Sequence, residues 1–122
     1  MSAVVPTREQ LQQQLDDVRR RVASDEWNPK DYNELQRHCT DLGIHATGPS
    51  LSKEIGTALC ELTPEHFKPP TLECYDEPHG AELYRFVWQS AVLNAPVYFK
   101  YCINDDVLWI FSFHRQRLDR GD

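Results

Sequence analysis

The chain has 122 residues, of which 40% are hydrophobic and 26% charged, and its formal charge is −6. This length suits one domain with a modest core, and the composition excludes a disordered chain. The negative balance argues against a general nucleic-acid coat, and no apolar run approaches the length of a membrane span.

The charge is unevenly spread. Residues 1–80 hold 8 Lys/Arg against 14 Asp/Glu, whereas residues 81–122 hold 5 of each. Within that neutral part, Asp105 and Asp106 are expected at one hairpin end, and His114, Arg115, Arg117 and Arg120 near the other. Exposed charges are screened beyond about 8–10 Å, so a local positive patch can exist on an acidic protein. Met1 to Pro6 is too short for a signal peptide, which makes a cytoplasmic protein the expectation. Cys39, Cys60, Cys74 and Cys102 form no CxxC pair, and free thiols are expected.

In chain order, Thr7 and Gln10 predict a capping box at the start of a helix over about Arg8 to Ala23. Leu11, Leu15, Val18 and Val22 recur at helical spacing along it. Asn28-Pro29 predicts the opening of a second helix with Tyr32, Leu35, Cys39 and Leu42 as its buried stripe and Gly43 as its end. Ser50 or Ser52 is expected to cap a third, with Leu51, Ile55, Ala58, Leu59 and Leu62 inward. Pro64 to Phe67 predicts one further turn, Lys68-Pro69-Pro70 an extended segment, Leu72 to Tyr75 a short edge strand and Asp76 to Gly80 a turn.

The remainder alternates with period two. Glu82 to Ser90 reads as a strand with Tyr84, Phe86 and Trp88 on one side. Val97 to Ile103 and Val107 to His114 read as a hairpin about the turn Asn104-Asp105-Asp106. A three-residue turn would set Tyr98 opposite Ser112 and Lys100 opposite Ile110, with Phe99, Tyr101, Ile103, Trp109, Phe111 and Phe113 toward the core. Trp88 and Trp109 are thus expected in the core rather than as platforms for bases. The opposite face would present Arg85, Gln89, Tyr98, Lys100, Ser112 and His114. The order predicts an α+β domain over residues 1–122, with N-terminal helices (about 7–67) packed on one face of an antiparallel sheet (about 72–114) and a short tail. Imidazole gains and loses a proton near neutral pH, so His114 on a face with Tyr98 and Lys100 points to acid–base chemistry.

The runs ELTPEHFK, ELYRF, PVYFK and FSFH resemble the C-terminal half of the MqsR-type toxins, a branch of the RelE-like bacterial mRNA interferases. The resemblance spans roughly Tyr32 to His114. It implies a RelE-like fold and the toxin of a toxin–antitoxin pair: a metal-independent endoribonuclease in which the RNA 2′-OH attacks the neighbouring phosphate. It also implies a cognate antitoxin and mRNA, on or off the ribosome, as partners, with no cofactor, metal or membrane. Tyr98 matches the family's strand tyrosine, His114 its terminal Lys or His, Arg85 a basic residue after a strand tyrosine, and Lys100 the lysine of its "VYIK" strand. On this reading His114, Tyr98, Lys100 and Arg85 are catalytic, and Lys68, Gln89, Ser112 and Arg115 bind substrate. The chain departs from the family in its acidic charge and in Ala81, where the first sheet strand of the family carries glutamine. A second reading is a non-catalytic binding or inhibitor module on the same scaffold, with an acidic partner surface.

Overall fold

The computed structural model describes residues 5–74 and 80–116. Tyr75, the expected turn residues Asp76 to His79, and Arg117 and Arg120 lie outside the described residues. The first helix, α1, spans Arg8–Ala23. Its capping box closes as expected: Gln10 N donates to Thr7 Oγ1 (3.1 Å) and Thr7 N to Gln10 Oε1 (2.8 Å).

The next segment departs from expectation. Trp27–Pro29 is a strand, β1, and the second helix, α2, begins only at Tyr32 and runs to Asp41. Proline disfavours the helical region in the residue before it and needs no ladder N–H at a sheet edge, so Asn28-Pro29 suits an edge strand better than a helix start. Asp31 caps α2 instead, accepting from Glu34 N at 3.1 Å. Tyr32 therefore sits at the helix start, 44% exposed, while Leu35, Cys39 and Leu42 are buried. Gly43, with φ +88°, ends the helical run.

The third helix, α3, is Pro49–Leu59, with Gly48 rather than a serine at its cap. Ser52 is turned inward: it accepts from Trp27 Nε1 at 2.7 Å and donates to Asp25. A 3-10 turn over Pro64–His66 and a two-residue strand, β2 (Leu72–Glu73), lead to β3 (Glu82–Ser90), β4 (Ala95–Asn104) and β5 (Val107–Arg115). The sheet order is β1-β5-β4-β3-β2, and every pairing is antiparallel except β1 with β5. Among the described residues the architecture is α+β: three helices and a five-stranded, mostly antiparallel sheet.

One buried cluster joins Leu11, Leu15, Val18 and Val22 of α1 and Leu51, Ile55 and Leu59 of α3 to Phe86, Phe99, Tyr101 and Phe113 of the sheet. Each large side chain so buried contributes roughly 1.5–3 kcal/mol against the entropy of ordering.

The hairpin register corrects the expectation for β5. Asn104 pairs with Val107, so the turn has two central residues, Asp105 and Asp106, both at positive φ (53° and 60°). That shift of one residue turns Leu108 and Ile110 into the core and puts Trp109 on the opposite face. Phe111 is then an extra residue: the register slips between Lys100/Tyr101, which pair with Ser112 and Ile110. The bulge adds a second shift and restores the expected sides for Ser112, Phe113 and His114. Tyr98 consequently faces His114, not Ser112, and Lys100 faces Ser112, not Ile110. Trp109 and Phe111 join Cys74, Leu83 and Cys102 in a smaller apolar cluster away from the main core.

Candidate functional site

Residues paired across strands share a face, and successive same-face positions lie about 6.6 Å apart along a strand. On the face opposite the main core, Val87, Tyr98 and His114 form one row across β3, β4 and β5. Arg85, Lys100 and Ser112 form the adjacent row. Cys102 and Trp109 pair one step further on. None of the described strand residues pointing to this face between Leu83 and Gln89, Pro96 and Cys102, or Trp109 and His114 is Asp or Glu. Arg85 and Lys100 are the Lys and Arg side chains among these described positions.

The Tyr98 and His114 rings stack at 5.1 Å between centroids with planes 10° apart. The His38 ring, from α2, meets His114 edge-on at 5.0 Å. This contact follows from the sheet layout. β1 pairs only with Leu108–Ile110, and α2, following directly, runs beside the rest of β5. No local spacing pairs His38 with His114, because residues 38 and 114 are joined only by the tertiary fold.

His114 Nδ1 lies 2.9 Å from the Arg115 carbonyl oxygen. A carbonyl oxygen only accepts, so Nδ1 carries the proton and Nε2 keeps its lone pair in the neutral ring. Burial pushes the Tyr98 phenol above its ordinary pKa, and the Arg85 guanidinium pulls it partway back through its charge and a hydrogen bond. Tyr98 is therefore a hydrogen-bond donor at neutral pH. Arg85 is held in place by the Pro70 carbonyl, which accepts from Nη2 at 3.0 Å. Its Nε is buried with no acceptor among the described residues. Lys68 donates its backbone N–H to the Arg85 carbonyl (2.8 Å), which sets it beside the second row at the outer edge of β3, with its side chain exposed.

Gln89 is exposed at the margin of this face, in the row of Pro96. Arg115 is not part of the constellation. It pairs with Val97, on the core side, and its guanidinium binds Asp41 through Nε to Oδ2 (3.3 Å) and Nη2 to the carbonyl (3.0 Å). Six of the eight expected site residues thus share the face directly, Lys68 flanks it, and Arg115 stands apart.

Cys102 also lies on this face, but burial, reinforced by Cys74 and opposed by Lys30, pushes its thiol up to about 11. It is no nucleophile at neutral pH. Among the described residues, no cluster of three or more His, Cys, Asp or Glu could hold a metal ion, and no helix is long and apolar enough to cross a membrane. No family model matches the chain, and no curated protein or solved structure matches it significantly.

Proposed function

We propose that the chain is an RNA-cleaving toxin of a toxin–antitoxin pair, on a RelE-like scaffold, with its site on the sheet face opposite the main core. The observation that carries this reading is the pair of adjacent rows, one holding a stacked Tyr98–His114 couple with His38 at its flank, the other holding Arg85 and Lys100. Cleavage of RNA by its own 2′-OH needs a base, an acid and cations, and no metal. On this reading His114 Nε2 takes the 2′-OH proton as the O2′–P bond forms. The P–O5′ bond breaks, and the leaving oxygen takes a proton from the second imidazole, His38. Tyr98 donates a hydrogen bond to a non-bridging phosphate oxygen, and Lys100 and Arg85 offset the charge that gathers there. The products are a 2′,3′-cyclic phosphate and a 5′-hydroxyl. The bulge at Phe111 supports the same reading, because it returns Ser112 and His114 to the face of Tyr98, and bulges are common beside active sites.

The partners on this reading are mRNA and a cognate antitoxin. Expression without the antitoxin is expected to arrest growth and cleave mRNA, and the purified protein to cleave unstructured RNA in EDTA. His114→Ala is expected to lower the cleavage rate by about 10²–10⁴-fold while the fold persists. A protein that neither arrests growth nor cuts RNA would instead support the non-catalytic binding module, the reading favoured by the net charge of −6.

A further inference from the structure

The lower half of the same face carries rings where sequence reasoning expected none. Trp109 is half-buried and stands opposite Cys102, four residues along β4 from Tyr98. At a strand rise of about 3.3 Å per residue, the Tyr98 and Trp109 rows lie about 13 Å apart. Between them runs the row of Arg85 and Lys100. Phe111, the bulged residue, has the Lys30 ammonium over its ring at 5.6 Å from the centroid. Ring, cation and ring therefore follow one another along the face, with no carboxylate on the described strand positions between them. An unpaired nucleic-acid strand alternates in the same way, bases with phosphates. A duplex keeps its bases stacked on one another and offers no free ring face to an indole.

We infer that Trp109 is a stacking platform for an unpaired base of bound RNA, and that Lys30, steadied by Phe111, pairs with a phosphate beside it. The inference rests on the reading of this face as RNA-binding and adds a subsite away from the reacting phosphate. The half-buried indole packs on the small apolar cluster, which steadies it. The cations on this face give the subsite its charge complementarity to an anionic strand.

The test uses an unstructured 2′-O-methyl oligoribonucleotide, which lacks the attacking 2′-OH and cannot be cleaved by that route. Binding to the full chain is read by fluorescence anisotropy, with the same strand annealed to its complement as comparison. Trp109→Leu, which keeps an apolar side chain on the cluster, and Trp109→Ala are expected to raise Kd by about 5- to 150-fold. Lys30→Gln is expected to shallow the slope of log K against log salt by roughly 0.7. The duplex is expected to bind far more weakly than the single strand. The inference is overturned if Trp109→Leu, shown to be folded by its denaturation midpoint, binds like wild type. It is equally overturned if the duplex binds as well as the single strand, or if the wild type does not bind. Cleavage of ordinary RNA is scored separately. Trp109-dependent binding without cleavage removes only the proposed reaction, and cleavage with Trp109-independent binding removes only this subsite.

Discussion

Glu61 lies just past α3 and ties the β3–β4 turn to the helical part. Its carboxylate accepts from Trp88 Nε1 (3.0 Å), Ser90 Oγ (2.6 Å), Ala91 N (2.8 Å) and Val92 N (3.0 Å). Burial pushes its pKa up, but these four hydrogen bonds outweigh burial and hold it below the usual carboxylate range. Glu61→Gln keeps the shape and replaces one acceptor oxygen with a donor NH₂. If the NH₂ faces the turn, it meets two N–H donors. If it faces the strand, Ser90 can rotate to accept, but Trp88 Nε1 loses its acceptor. With the NH₂ toward the turn, Ala91 N and Val92 N are exposed and turn to water, so this orientation is preferred, and the bonds that remain lose their charge assistance. The expected cost is about 1–2 kcal/mol. In urea denaturation the midpoint should fall with the m-value unchanged, and Tm should drop by roughly 4–8 °C.

The sign of the pH dependence follows from the depressed pKa. The folded state holds the ionised form more tightly than the unfolded chain, so this stabilisation is complete above the unfolded carboxyl pKa of about 4.3 and is lost as pH falls through the lower folded value. The gap between wild type and Glu61→Gln should therefore be widest near neutral pH and close in acid. A variant within about 0.5 kcal/mol of wild type at neutral pH, or a gap that stays constant into acid, would refute the reasoning.

Two further predictions concern the hairpin and the cationic row. Asp105 sits at φ 53° in the first central position of a turn type that favours asparagine, so Asp105→Asn should raise stability by about 0.5 kcal/mol, read as an upward shift of the urea midpoint. Lys100→Ala should slow RNA cleavage less than His114→Ala does, through weaker phosphate affinity, and its deficit should shrink as salt rises from about 50 to 200 mM in the same cleavage assay.

Local signals in the sequence made α1 and β3 legible to the residue. The Thr7/Gln10 capping box marks where α1 starts, and alternation from Glu82 to Ser90 survives because both sheet faces contrast in polarity there. The β5 strand was harder because Val107, Leu108, Trp109, Ile110 and Phe111 are all apolar, so composition could not say which residues face the core. The choice between a two- and a three-residue turn decides that, and Asn104-Asp105-Asp106 fits either. The error in turn length and the unseen bulge at Phe111 cancel at Ser112. Ser112 and His114 therefore keep the expected side with their cross-strand partners two residues out, while Trp109 faces away from the core instead of into it. Trp27–Pro29 was missed for a different reason: a three-residue strand has no period of its own and forms only because β5 offers an edge. His38 is the comparable case within the site, since its neighbour on β5 is set by where α2 lies and not by any local spacing.

On the proposed reading the face opposite the main core cleaves RNA through the RNA's own 2′-OH, with imidazoles moving the protons. That route leaves a distinctive pair of cut ends. Purified protein is incubated with an unstructured RNA in EDTA, and the fragment ends are identified by mass. The expected ends are 2′,3′-cyclic phosphate and 5′-hydroxyl, lost with His114→Ala. Fragments ending in 3′-hydroxyl and 5′-phosphate, or cleavage that His114→Ala leaves intact, would rule this route out.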